Sequence, residues 1–332
     1  MITRRYVIRR IIYMAITFFV AVTLVFLLPR LAPGNPVLII LLTKYGGIVK
    51  PQQLKILESE LHISGTLWQQ YVSFWISLLH GNFGPSFYYY PQSVSSLIIA
   101  HIPWTFFLLG TSTIISIVLG VAVGSYSGWK RGYSDSFLQS FSIGLTAVPY
   151  FWLALIFQLV FAVLVVINGT HILPVAGAYG YFVTPGFNYQ FVISLLKHSI
   201  LPLATLVITS FPGFALLMRN TIVTVLDEDY VLQAKAKGLS LNTIRKSYVN
   251  KNAILPVATS VGLAFAGIVG GAFIVEEVFS YPGIGYLLYN AVTVYDYPLE
   301  EGIFLIIVIV TILANFAVDL LYAYLDPRVV LK

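Results

Sequence analysis

Six stretches of this chain stay apolar for about twenty residues at a time, and they constrain the fold more than any other feature. They run at about Arg10–Leu28, Pro103–Ser125, Phe137–Ile167, His198–Met218, Ala253–Val275 and Gly302–Leu325. About 20 such residues are needed to cross a hydrocarbon core about 30 Å thick. Within that core every backbone N–H and C=O must be satisfied inside the protein, which leaves helices or a closed barrel. Barrel strands alternate apolar and polar residues over ~10 positions, whereas these runs are continuously apolar. The expectation is an all-α, polytopic integral membrane protein with six transmembrane helices. Composition agrees, with 58% hydrophobic and 10% charged residues in 332, against roughly 45–50% and 25% in soluble domains.

The first run follows Arg4, Arg5, Arg9 and Arg10, as a signal peptide would. Its core is longer than the roughly 7–15 residues of a secretory signal, so it reads as an uncleaved first helix. With the N-terminus inside, the cytoplasmic segments carry Arg4, Arg5, Arg9, Arg10, Lys130, Arg131, Arg219, Lys235, Lys237, Arg245, Lys246, Lys251, Arg328 and Lys332. The outside segments carry Arg30, Lys44, Lys50, Lys55 and Lys197. Fourteen against five, summing to the chain's 19 Lys and Arg, follows the positive-inside rule and places both termini in the cytoplasm. A net charge of +6 spread over membrane flanks does not suit nucleic acid.

Three regions are expected: an N-terminal transmembrane helix over 1–29, an extracytoplasmic segment with short helices over 30–102, and a five-helix core over 103–332. In the outer segment Trp68, Tyr71, Val72, Trp75, Leu78 and Leu79 recur at helical spacing, predicting an aromatic-rich packing helix ended by Gly81. Pro149, Pro202 and Pro212 are expected to kink the third and fourth spans. Glycines 262, 267, 270 and 271 of the fifth span predict close helix contact. Glu276 and Glu277 read as solvated carboxylates at that span's outer end, and Asp319 as a salt-bridge or interface residue near a cytoplasmic end.

Between the fourth and fifth spans lies a polar, basic loop, Asp227 to Asn252. Asp227, Glu228 and Asp229 stand before a predicted helix, Tyr230 to Lys237, where carboxylates complement free N–H groups and the dipole. Gly238 permits the left-handed turn that ends it. Ser240 or Asn242 is placed to cap a second short helix through about Val249. Two short helices fixed at an angle can transmit a push to the spans they join.

These residues resemble the EAA loop of ATP-binding-cassette importer permeases. The run Asp229, Tyr230, Val231, Ala234, Ala236, Lys237, Gly238, Leu239 and Ser240, followed by Leu255 and Pro256, is similar to that loop's pattern. Leu232 and Gln233 stand where the general pattern has Glu-Ala, a departure typical of the dipeptide/oligopeptide subfamily. The resemblance extends along the chain. Leu31-Ala32-Pro33-Gly34-Asn35-Pro36, Leu67-Trp68-Gln69-Gln70-Tyr71 and His80-Gly81-Asn82-Phe83-Gly84 are similar to its first outer region. Val148-Pro149-Tyr150-Phe151-Trp152-Leu153 and Leu173-Pro174-Val175 resemble its third span and following loop. Phe279-Ser280-Tyr281-Pro282-Gly283-Ile284-Gly285, Asp296-Tyr297-Pro298 and the C-terminal Asn315, Asp319, Tyr322, Asp326, Pro327 and Arg328 complete the order, with Tyr286 where arginine is frequent.

The resemblance implies the type I importer permease architecture in a plasma membrane. It implies a second permease subunit, two cytoplasmic ATP-binding subunits and an extracellular solute-binding protein as partners, beside the lipid bilayer and without a cofactor. Cargo stays open among dipeptides, oligopeptides, oligosaccharides and metal chelates. No Gly-x-x-x-x-Gly-Lys-Ser/Thr phosphate loop and no Ser/His/Asp arrangement occurs in the sequence. The five histidines do not cluster and there is no cysteine, so the chain is not expected to be an enzyme. On the expected docking face of the loop, Tyr230, Val231, Ala234 and Leu239 supply apolar contact, with Lys235 and Lys237 at the rim. An ion-coupled secondary transporter or channel is the alternative, and it would require paired ionisable groups at mid-membrane or a filter. A membrane scaffold for a soluble enzyme is a third reading.

Overall fold

The structure is a computed structural model that describes residues 4–31, 65–167, 170–267 and 273–325. Its elements are α1 (Arg4–Leu31), α2 (Leu67–Leu79), α3 (Val94–Lys130), α4 (Tyr133–Thr146) and α5 (Tyr150–Phe157), the last running on as a π-helical turn to Leu164. A two-residue-per-strand hairpin, β1 (Val166–Ile167) and β2 (Thr170–His171), follows. Then come α6 (Tyr189–Leu226), α7 (Asp229–Ala236), α8 (Leu241–Thr243), α9 (Lys251–Gly267), α10 (Phe273–Val278), α11 (Ile284–Thr293) and α12 (Tyr297–Leu325).

Four helices, α1, α3, α6 and α12, are long and apolar enough to cross a membrane, and α4 with α5 adds a fifth if the bent pair is one span. The expected fifth span, Ala253–Val275, is represented by α9 and α10 on either side of residues 268–272, which lie outside the described set. A multi-pass helical membrane protein is the result. Several expectations shift. The second and fourth spans begin earlier than hydropathy placed them, at Val94 and Tyr189, because polar first turns can extend a helix beyond the hydrocarbon. Pro149 does not kink a helix from within: it stands before the first residue of α5, at a break where α4 and α5 meet at 89°. Pro202 and Pro212 lie inside α6, which is uninterrupted over 38 residues.

The chain forms two compact units. The first comprises Met1–Thr105, Val269–Phe273 and Pro282–Lys332. In it α1 and α12 pack together through Val22, Val25 and Leu305, with Phe74, Trp75 and Leu78 of α2 against the same cluster. Helix α2 begins with a capping box, Thr66 accepting from the Gln69 N–H while the Gln69 side chain accepts from Thr66 N–H. Its Tyr71 hydroxyl meets Thr23 Oγ1 of α1 at 2.8 Å. A second cluster joins Val94, Leu97 and Ile98 of α3 to Leu287, Leu288 and Ala291 of α11 and to Leu299 and Ile303 of α12.

In that unit Asp296 sits fully buried at the start of α12. Its carboxylate accepts from Ser86 Oγ, from the N–H groups of Phe87 and Tyr88 at 3.0 Å, and from Leu299 N–H at 3.3 Å. Burial raises the carboxyl above the usual carboxylate range while these donors pull it down. The result fastens the 84–93 turn to the beginning of the last span.

The second unit comprises Phe106–Ile268 and Ile274–Tyr281. Its centre is α6, against which α3, α4, α5 and α9 pack. The approach of α3 to α6 rests on Gly120, Gly124 and Gly128, four residues apart. A Cβ at Gly124 would lie 2.3 Å from the Ala215 carbonyl oxygen, and one at Gly120 would lie 2.5 Å from Phe214 Cβ. In lipid, helices gain by close van der Waals contact rather than by leaving water, so small residues at this spacing are what brings the backbones together. Of the glycines singled out in the fifth span, Gly262 and Gly267 lie in α9, while Gly270 and Gly271 lie outside the described residues.

Near the other end of the unit, Gln158 Nε2 donates to the carbonyls of Val175 and Val278 at 3.0 and 2.6 Å, and Gly177 N–H donates to Phe279 O at 2.8 Å. Tyr281 is fully buried, its hydroxyl 3.3 Å from Ser199 Oγ, and burial pushes its phenol up to about 12. Glu276 is buried at 0% exposure and Glu277 is half-buried. The solvated ends expected for both are therefore corrected, because α10 turns Val275 and Glu276 inward. The side chain of Asp319 and residues 326–328 lie outside the described residues.

Candidate functional site

The loop that leaves α6 is a rigid two-helix corner. Leu226 ends α6, and the N–H groups of Asp227 and Glu228 close its last turn on Thr224 O and Val225 O, both at 3.2 Å. Glu228 takes the N-cap position of α7 in an extended conformation but makes no side-chain capping bond. The acidic cluster therefore acts through the dipole, with Asp229 in the first turn.

α7 ends in a complete Schellman motif. Gly238 adopts φ +69°, Gly238 N–H donates to Lys235 O at 3.0 Å, and Leu239 N–H reaches back to Ala234 O at 3.3 Å. The apolar contact that accompanies such a motif is present, since Leu239 and Ala234 belong to one hydrophobic cluster. Ser240 then caps the next helix: its Oγ accepts from Thr243 N–H at 3.2 Å and its carbonyl from Ile244 N–H at 3.0 Å.

The second helix does not stop near Val249. α8 passes into a π-helical stretch, Ile244–Asn250, and this continues without a break into α9. Each junction residue, Ile244 and Lys251, has right-handed helical dihedrals. Backbone helix therefore runs from Leu241 to Gly267. The second helix of the corner and α9 are thus one continuous rod, with the π stretch accommodating an extra residue.

What seats the corner is its own apolar interior. Val231 and Ala234 of α7, Ile244 and Val249 of the second helix, Met218 and Ile222 of α6, and Ala253 and Val257 of α9 form one buried cluster. Fully burying a side chain of this size is worth about 1.5–3 kcal/mol, which makes the corner a packed body rather than a flexible loop. Arg245 adds an edge contact, its guanidinium 6.0 Å from the Trp129 ring centre. The exposed Arg131–Asp227 pair at 3.8 Å adds little.

This packing corrects the expected docking face. Val231 is 0% and Ala234 2% exposed, and Tyr230 and Leu239 pack on the same cluster. The side chains of Val231 and Ala234 are thus enclosed by the chain's own helices, while Tyr230 and Leu239 are half-buried. The surface left open carries Leu232 at 64% and Leu241 at 68% exposure, with Gln233, Lys235, Ala236, Lys237 and Gly238 between them. Pro256 lies within the first turns of α9 and is exposed, while the side chain of Leu255 lies outside the described residues.

One ion pair beside the corner was not singled out in the sequence. Asp135 of α4 is 4% exposed and receives both Arg219 of α6 and Ser127 of α3. An acid within a few residues of a span's start, with a lone arginine near the end of another, is the signal that marks it. Neither shows partner choice, which only the fold supplies. Three of the histidines are plain: His80, His101 and His198 each place Nδ1 2.7 Å from the carbonyl four residues earlier.

Comparison with known proteins gives this geometry a family. Residues 116–331 match the binding-protein-dependent transport system inner membrane component family. That range contains α4 to α12, the corner and the C-terminal part of α3. Over 98% of the chain it is 32% identical to the oligopeptide transport system permease protein OppB of Haemophilus influenzae, covering 99% of that protein. It is 30% identical to OppB of Escherichia coli K12, with 98% of this chain and 99% of the relative covered, and 30% identical to AppB of Bacillus subtilis, with 98% of each covered. The chain belongs to the family of binding-protein-dependent transport system inner membrane components, as a permease subunit of ATP-binding-cassette importers.

Proposed function

We propose that the chain forms half of a translocation pathway for peptides. It pairs with a second permease subunit, receives solute from an extracytoplasmic binding protein and is driven by two separate ATP-binding subunits. The peptide assignment rests on the relatives named as oligopeptide permeases, and both termini are placed in the cytoplasm by the distribution of Lys and Arg.

The observation that carries the reading is the corner between α6 and α9. One face is sealed into the chain's own core and the other is open, and the second helix runs unbroken into α9. The open face, centred on Leu232, Ala236, Gly238 and Leu241, is the docking surface for an ATP-binding subunit. When the two ATP-binding subunits close, they push this body, and α6 and α9 move with it because each is packed or continuous with it. An ion-coupled transporter would leave such a body without a load.

The test is uptake into proteoliposomes holding this chain with its partner subunits and binding protein. ATP-dependent accumulation of peptide that persists when ionophores collapse ion gradients supports the reading. Uptake driven by an ion gradient without ATP overturns it.

A further inference from the structure

A cavity of about 260 Å³ lies in the first unit, between the end of α1, the helix α2, the 82–87 turn and the start of α12. Arg30 and Glu301 stand in its wall, joined in an ion pair with side chains 16% and 9% exposed. Arg30 is fixed on three sides. Its Nε donates to Gln70 Oε1 at 3.1 Å, its Nη1 to Phe26 O at 2.7 Å and to Glu301 Oε1, and its guanidinium lies 3.7 Å from the Phe26 ring centre. These contacts occupy Nε, Nη1 and one carboxylate oxygen. Among the described residues Nη2 of Arg30 and Oε2 of Glu301 have no hydrogen-bond partner. The cavity is thus offered one positive and one negative edge side by side, with Ser73, Ser77 and Asn82 adding neutral polar groups.

Such a wall selects a zwitterion, an anionic group facing Nη2 and an ammonium facing Oε2. A simple anion would meet the carboxylate as well, and a simple cation the guanidinium. The surroundings identify the source. Both α1 and α12 are helices fit to cross the membrane, and the cavity lies at the end where α1 finishes and α12 begins. Beside it α2 is apolar on two sides. Phe74, Trp75 and Leu78 pack against the α1–α12 cluster, while Trp68 at 70%, Val72 at 39%, Ile76 at 53% and Leu79 at 79% form an exposed stripe at helical spacing. A headgroup in the cavity would continue into acyl chains along that stripe.

We propose that this cavity is a site for the zwitterionic headgroup of an ethanolamine phospholipid, with the phosphate held by Arg30 and the ammonium by Glu301. The bound lipid braces α2 against the ends of α1 and α12. The ligand chemistry, an ammonium beside an anion, is shared with free peptides, so the test separates the two sources.

The assembled complex, purified through this chain and delipidated, is titrated with phosphatidylethanolamine or phosphatidylglycerol of identical acyl chains, and retained lipid is counted by native mass spectrometry. Preferential retention of phosphatidylethanolamine is expected. Ser77→Trp fills the cavity without touching the ion pair and is expected to abolish the preference. Glu301→Gln keeps the shape and removes the ammonium's partner, and is expected to weaken phosphatidylethanolamine retention about tenfold, the size of one charge-assisted hydrogen bond. Soluble phosphoethanolamine at millimolar concentration should compete and dialanine should not. Equal retention of the two lipids, an undiminished preference in Ser77→Trp, or displacement by dialanine instead of phosphoethanolamine would each overturn the proposal. Ser77→Trp keeps it falsifiable where Glu301→Gln fails to assemble.

Discussion

Arg219 grips Asp135 at two points, Nε to Oδ1 at 3.0 Å and Nη2 to Oδ2 at 2.7 Å, and so ties α6 to α4 close to the corner. Ser127 Oγ and, at 3.2 Å, Gln139 Nε2 donate to the same carboxylate, so three helices converge on one acid. With the side chains 20% and 6% exposed, removing one partner strands the other in a poorly hydrated site. Arg219→Leu is expected to lower stability by about 3–5 kcal/mol, read as a fall in the thermal unfolding midpoint of the purified protein. Arg219→Lys keeps the charge but loses the fork and should fall in between. A midpoint unchanged in Arg219→Leu would show that the pair contributes nothing.

The glycines of α3 give a contrast within one helix. Gly124→Val must displace the Ala215 backbone, whose oxygen would lie 2.3 Å from the new Cβ, and should prevent α3 and α6 from closing. Gly110 in the same helix has nothing within 4 Å of its Cβ position. Gly110→Ala is expected to be neutral or to stabilise by about 0.5–1 kcal/mol through helix propensity. Comparing the two by yield of monodisperse protein and unfolding midpoint checks the close approach. Equal behaviour would contradict it.

Gly238 is constrained by its backbone alone. Its φ is +69° and its Cβ position is open. Gly238→Val should therefore cost about 1–3 kcal/mol of local strain and misdirect Ser240 and the second helix. Gly238→Asn, a residue that tolerates this region, should be milder. Solute-stimulated ATP hydrolysis by the assembled complex is expected to drop for valine with the protein still in the membrane. Hydrolysis at the wild-type level would make Gly238 a passive linker.

The corner was largely legible because capping chemistry is local. The three acids, Gly238 and Ser240 announce a helix, a left-handed stop and a restart within fourteen residues, and the structure has all three. What the residues could not disclose is direction. Val231 and Leu232 are adjacent and both apolar, yet one is 0% and the other 64% exposed, because α6 and α9 approach from one side only. The same limit applies to the spans. Continuous apolarity finds a membrane helix and Pro149 marks a bend in it, but neither discloses that α4 and α5 meet at 89°. Continuous apolarity also hides Asp135–Arg219, whose members lie 84 residues apart.

Sidedness has a direct check, because the chain has no cysteine. Ser86 is unsuitable as an outer reporter, being fully buried against Asp296. Tyr181 is 94% exposed in the turn before α6, and Ser247 is exposed on the second helix of the corner. In intact cells an impermeant maleimide should label Tyr181→Cys and leave Ser247→Cys unlabelled until the membrane is opened. The reverse pattern would invert the topology drawn from the fourteen-to-five distribution of basic residues.

Which face of the corner meets the ATP-binding subunit is decided by adjacent residues. Leu232→Cys, Ala236→Cys and Val231→Cys, each carrying a benzophenone maleimide, can be irradiated in membranes that hold the assembled complex. Capture of the ATP-binding subunit from positions 232 and 236, with none from the buried position 231, is the predicted result. Capture from 231 alone, or from none of the three while the subunit remains bound, would contradict the docking surface and the transmission through α9 built on it.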